Sequence, residues 1–327
     1  MLRRPASRTW LVVGAAWTAL STLTWTPPAA AYVRRKTDGG IPEYWQASCV
    51  SATIYLNGFN MMTRDEVAKS ISAAAHTWSP DAVTCGDGSH PYFEVAVTLN
   101  PDDNATAVVQ NDAKNSIIFQ TQTWPDTLSP YALAVTSAFA KSDGRILDSD
   151  IQINATASSF LIWANLDPNA TDATSHGMTA YDLQNAITHE FGHFIGLDHT
   201  CIQEFTANPP LDDMGNPVPN CGSAPAAVQM TVMWPLTDPG ETQQRVLTND
   251  EVRAVCDIYP EARDPHSCTL DAPDDGIGCS TGAASPRSRT GALGFIATSG
   301  VLLLALARRR IVKRSRRRCV AAADRSR

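Results

Sequence analysis

Between Ile187 and His199 the chain reads ITHEFGHFIGLDH, with three histidines and one glutamate inside eleven residues. His189 and His193 stand four apart, so at 3.6 residues per turn they stack on one helix face and can hold one metal ion from one side. Glu190 cannot share that direction. It lies beside the metal position, where it meets a bound water rather than the ion. If Gly196 lets the chain reverse, His199 returns as a third nitrogen ligand and a fourth coordination position stays open, the pattern of catalytic rather than structural zinc. Leu183, Ile187, Phe191 and Phe194 or Ile195 recur at helical spacing. The stretch is therefore predicted to be an amphipathic helix that begins at Thr179 or Asp182 and stops near Gly196.

The two ends of the chain have to be set apart from the body. Residues 1–31 carry Arg3, Arg4 and Arg8, an apolar run from Trp10 to Leu23, and Ala29-Ala30-Ala31, which together read as an export signal with Tyr32 as the mature start. Residues 271–290 form a small-residue linker, 291–307 a short apolar transmembrane segment, and 308–327 a basic tail, which the positive-inside rule puts in the cytoplasm. The overall net charge of -7 hides this partition: from Tyr32 to Gly278 there are 11 Lys+Arg against 32 Asp+Glu, a net of -21. So acidic a body excludes nucleic acid and anionic lipid as partners of its surface.

Cys49, Cys85, Cys201, Cys221, Cys256 and Cys268 fall in the body, and six thiols in an exported chain favour disulfides. Chain order suggests Cys49–Cys85, Cys201–Cys221 and Cys256–Cys268, one of fifteen connectivities. Strands are expected in Cys49–Asn57, Tyr92–Leu99, Ser116–Trp124, Ala132–Ala140 and Ile146–Asn154, the last two joined by a KSDGR turn. Two capping boxes, Thr63 with Glu66 and Thr248 with Glu251, open further helices, the first burying Val67, Ile71, Ala75 and Trp78. The fold class is α+β, a twisted mixed sheet with the histidine helix and a C-terminal helix. Asp148, Asp150 and the NPDDN at Asn100–Asn104 offer oxygens for calcium, against the reading in which they cap turns or face solvent.

The spacing His-Glu-x-x-His-x-x-Gly-x-x-His resembles the metzincin metallopeptidases. Met233, followed by Trp234-Pro235, matches their methionine turn, and Pro235, LAVTSAF, DSDIQIN and the IYP ending look most like the matrixins over roughly Cys49 to Pro260. The resemblance implies a catalytic domain over 32–270 that hydrolyses peptide bonds, with zinc on His189, His193 and His199 and Glu190 as general base. Gly196, Met233 and Pro235 would be structural. The chain departs from the family in three ways. It lacks a recognisable inhibitory cysteine segment, its link from Thr200 to Thr231 is longer, and the family's glycine-rich calcium and second-zinc loop is not recognisable. That long link, with Cys201 and Cys221, is expected to form a disulfide-closed loop beside the substrate groove.

The segment GIGCSTGAASPRSRTGALGFIATSGVLLLALARRR resembles C-terminal sorting tags of myxobacterial surface proteins. That resemblance implies processing or lipidation at Cys279 by a sorting protease, and a surface or envelope location with release outside the cell as an outcome. The bland alternative is an ordinary single-span anchor. The partners expected are a protein or peptide substrate and, through the tail, a membrane. A rival function is an inactive binding or adhesion module on the same scaffold, which damage to a ligand or to Glu190 would have betrayed.

Overall fold

The computed structural model describes residues 32–159, 161–168 and 179–269. These all belong to the first of two units into which the chain divides, Met1–Asp274 and Asp275–Arg327. The leader, Cys279, the linker, the apolar segment at 291–307 and the basic tail lie outside the described residues. Among the described residues, no helix is long and apolar enough to cross a membrane.

The described part is α+β. In chain order its elements are β1 (Val33–Arg34), β2 (Cys49–Tyr55), α1 (Arg64–His76), β3 (Glu94–Leu99), β4 (Ser116–Gln120), β5 (Ala134–Ala140), β6 (Ile146–Asn154), β7 (Trp163–Ala164), β8 (Tyr181–Asp182), α2 (Leu183–Phe194), β9 (Leu197–Asp198), α3 (Ala226–Gln229), α4 (Asn249–Ile258) and β10 (Cys268–Thr269). β2 is central. β3 runs parallel along its whole length, and its other edge is shared in succession by β10 at Cys49–Val50 and β4 at Thr53–Tyr55. β6 continues the sheet in parallel beside β4, and β5 closes it antiparallel to β6. Parallel neighbours need a crossover, which α1 supplies between β2 and β3.

Both capping boxes form. Thr63 and Glu66 exchange hydrogen bonds at the start of α1, as do Thr248 and Glu251 at the start of α4. The expected face of α1 is buried, with Val67, Ile71, Ala75 and Trp78 in one core with Val50, Ile54, Ile117, Phe119, Ile151 and Ile153 of the sheet and Ile187, Phe191 and Phe194 of α2. Each of these large side chains contributes about 1.5–3 kcal/mol by leaving water. α2 is thereby held between α1 and β5.

Two of the three disulfides differ from chain order. Cys49 pairs with Cys268 and Cys85 with Cys256, whereas Cys201–Cys221 forms as expected. The reason is topological: β10 lies in register with β2, which places Cys268 opposite Cys49, while Cys256 on α4 faces the segment before β3. Proximity along the chain is overruled by parallel strand pairing.

The acids on β6 also correct an expectation. Asp148 and Asp150 are buried rather than solvated, and they cap no turn of their own. Asp148 Oδ2 accepts the N–H groups of Asp112 and Ala113 at 2.8 Å, and Asp150 accepts those of Ser116 at 2.8 Å and Gln110 at 3.1 Å. They brace the approach to β4. The stretch at Asn100–Asn104 does cap its own turns, with Asn100 and Asp102 accepting the N–H groups of Asp102 and Asn104.

Candidate metal centre

The start of α2 is fixed by Asp182, whose carboxylate accepts the Asn185 N–H at 2.7 Å and pairs with Arg245. Its other end is closed by long-range donors. Trp45 Nε1 donates to the Phe194 carbonyl at 2.9 Å, Tyr259 Oη to that of Ile195 at 2.8 Å, and the Arg35 N–H to that of Gly196 at 2.9 Å. These satisfy carbonyls that a helix end leaves without partners. Gly196 takes φ +98, and a Cβ there would meet the Glu43 carbonyl oxygen at 2.5 Å. The bend that the sequence asked of glycine is present, and it delivers His199.

The three imidazoles converge. His199 Nε2 lies 3.3 Å from His189 Nε2 and 3.0 Å from His193 Nε2. Tetrahedral zinc with Zn–N bonds near 2.0–2.1 Å would set its nitrogens about 3.3 Å apart, so the spacing fits. The far nitrogens of the two helix histidines face carbonyls: His189 Nδ1 that of Val232 at 2.7 Å and His193 Nδ1 that of Leu197 at 2.9 Å. A carbonyl can only accept, so Nδ1 carries the proton and the Nε2 lone pair is free for a metal. Burial lowers the basicity of all three rings, to a pKa of about 3 for His189. They are neutral at pH 7, as ligands must be. Among the described residues this is the one convergent group of three potential metal-ligating side chains, so the centre can hold a metal ion.

Glu190 is buried beside this group. Its Oε2 accepts a 2.6 Å hydrogen bond from Thr136 Oγ1 of β5. Burial, offset only in part by the Thr136 hydroxyl and the more distant charge of Arg35, raises its pKa to about 7. A carboxyl that titrates there can both take and return a proton in neutral water.

Met233 lies under the histidines, fully buried. Its sulfur fills the space that a side chain at Gly192 would need, its N–H donates to Glu251 Oε1 at 3.2 Å, and its carbonyl accepts the Thr200 N–H at 3.1 Å. Pro235 lines the cleft with Trp234, Leu236 and Thr237. The cleft has a volume of about 730 Å³ and contains all four motif residues in its lining.

The link after His199 is a loop pinched by Cys201–Cys221, with Thr200 and Thr231 bonded through their hydroxyls at 2.9 Å at its base. Gln203 reaches the cleft, while Phe205 is 89% exposed. Sequence reasoning missed Thr136, Arg35 and Gln244. Only Thr136 left a trace, as a polar residue on the face that LAVTSAF otherwise gives to Ala134 and Ala138.

No model of a known protein family matches this chain, and no curated protein matches it.

Proposed function

We propose that the chain is a zinc-dependent endopeptidase of metzincin type, matrixin-like, acting outside the cytoplasm on protein or peptide substrates. The observation that carries this reading is the convergence of three neutral imidazole nitrogens with one buried, Thr136-bonded carboxylate at the floor of an open cleft. An all-imidazole donor set suits zinc and disfavours calcium, which takes oxygen ligands. His189, His193 and His199 would hold the ion. Zinc, when bound there, supplies a Lewis acid for the scissile carbonyl and acidifies the attacking water.

The rest of the reaction falls to the protein. Thr136 occupies Glu190 Oε2, which leaves the other carboxylate oxygen to face the cleft. That oxygen takes a proton from the attacking water as the new C–O bond forms, and passes it to the departing amine as the C–N bond breaks. Met233 and the Glu251 carboxylate keep the floor beneath His189 rigid, so the base and the ligands hold their spacing. A binding scaffold would tolerate a damaged ligand or base, and all four residues are intact.

The test compares the parent protein with Glu190→Gln on a diverse peptide library, with zinc content measured alongside. The parent should cleave, and a zinc chelator should abolish cleavage. Glu190→Gln should keep its zinc and lose about 10²–10⁴-fold in turnover. Chelator-resistant cleavage, or normal turnover by Glu190→Gln, overturns the reading.

A further inference from the structure

The cleft runs along α2 and its two ends differ in chemistry. Near the start of the helix it is lined by Ala186, Tyr181, Leu236 and Gln244, all uncharged. At the other end, where β1 pairs antiparallel with β9, it is lined by the charged Arg35 and Asp198. The Arg35 backbone is hydrogen-bonded to Gly196, so its place beside the last turn of the helix is fixed by the same bend that delivers His199. Among the described residues lining the cleft, Arg35 is the one lysine or arginine.

Its side chain is 27% exposed, neither sunk in the core nor free in solvent. Nε lies 3.2 Å from Oε2 of Glu43, a buried carboxylate, which sets the plane of the guanidinium. Its two terminal nitrogens make no hydrogen bond among the described residues. Neither acid that shares the cleft pairs with Arg35 among the described residues: Glu190 Oε2 accepts from Thr136 and Asp198 Oδ1 accepts the His199 N–H at 2.8 Å. A guanidinium held through Nε by Glu43, with its planar pair of terminal donors unbonded, matches a further carboxylate, which can take both bonds at once. In a body of net charge -21 the long-range field repels anions. A preference for them has to come from such a short-range contact.

We infer that Arg35 makes this end of the cleft a carboxylate subsite, so that favoured substrates carry an acidic group where the bound peptide passes the last turn of α2. The inference rests on the peptidase reading for what fills the cleft. The carboxylate has two sources, a Glu or Asp side chain within the peptide or its free C-terminus.

Binding to zinc-loaded Glu190→Gln, read by fluorescence anisotropy, separates recognition from turnover. The probes are an amidated Gln-containing host peptide, the same peptide with a single Glu moved through each position, and the host with a free C-terminus. At least one acidic peptide should bind about five- to tenfold tighter than the host, with the advantage shrinking in 0.5 M salt. The Glu series against the free C-terminus identifies the source. Arg35→Gln should erase the advantage and leave binding of the host unchanged, and Arg35→Lys should restore part of it. Equal binding of all peptides, or an advantage that survives Arg35→Gln, overturns the subsite. Cleavage by the protein with Glu190 intact is read separately. Cleavage without acidic preference removes only the subsite, whereas acidic preference without cleavage removes only the peptidase reading.

Discussion

The floor of the cleft and the loop from Thr200 to Thr231 are neighbours in sequence, yet they are held in opposite ways. The floor is tied by groups remote in the chain: Trp45 and Tyr259 on the carbonyls that end α2, Gln244 on Asn185, Glu251 on Met233, and disulfides spanning 219 and 171 residues. The loop is closed by a bridge spanning 20 residues, and its turns are local, such as Asp212 accepting from Met214 and Asn216. Parts that must keep a metal geometry are over-determined from a distance. The loop that borders the cleft is closed mainly on itself.

Removing one bridge of each kind should expose this contrast most strongly. In the chain-entropy account a loop of 20 residues is worth about 3 kcal/mol, and the Cys49–Cys268 ring, shortened to about 50 residues by the intact Cys85–Cys256 bridge, about 4 kcal/mol. Cys49→Ser with Cys268→Ser should therefore lower Tm by about 10–20 °C, and Cys201→Ser with Cys221→Ser by less while changing the order of preferred peptides. Thermal unfolding beside a peptide-preference profile checks both. Equal losses of Tm would show that loop and floor unfold as one unit.

Gly196→Ala tests whether the bend belongs to the floor. An alanine at φ +98, pressed on the Glu43 carbonyl, should cost about 3 kcal/mol, and zinc affinity should fall with it as His199 is displaced. Denaturant unfolding and zinc titration measure the two, and an unaltered affinity would mean that His199 is positioned by β9 alone.

Thr136→Val is expected to have the smallest effect, and it acts on pH rather than stability. The Thr136 hydroxyl favours ionised Glu190 against burial, which raises its pKa to about 7. Without that donor the pKa climbs further and less of the base is ionised in acid. The kcat/KM of Thr136→Val should thus fall more at pH 6.5 than at pH 8.5, by about tenfold at the acid end. An acid limb that stays in place would show that the hydroxyl only positions the carboxylate.

The helices were legible because their signals are local. Thr63 with Glu66 and Thr248 with Glu251 mark their own termini, and the histidine spacing marks its own face. The bend at Gly196 was legible for the same reason, since a positive φ is written in one residue. The short Cys201–Cys221 bridge was legible too, but the two long bridges were not, because Cys49 meets Cys268 only after a parallel strand pairing that joins the two ends of the body. Nor were Arg35 and Thr136. Neither carries a chemical signature of its own, and each reaches the site through register, β1 on β9 and β5 on β6. That the acids of β6 accept backbone arriving from 34 to 40 residues away was likewise not written in their own stretch of sequence.

The pinched base of the loop has a consequence for engineering. Cys201 and Cys221 form a covalent collar, and inside it Asp213 ties the loop to the body, receiving Arg253 and donating its N–H to the Tyr32 carbonyl. A replacement cassette that keeps Cys201, Asp213 and Cys221 can vary the rest, Phe205 included, and leave the metal floor untouched. On the proposed peptidase reading, such grafts would turn one scaffold into a panel of catalysts that share their chemistry and differ in what they admit.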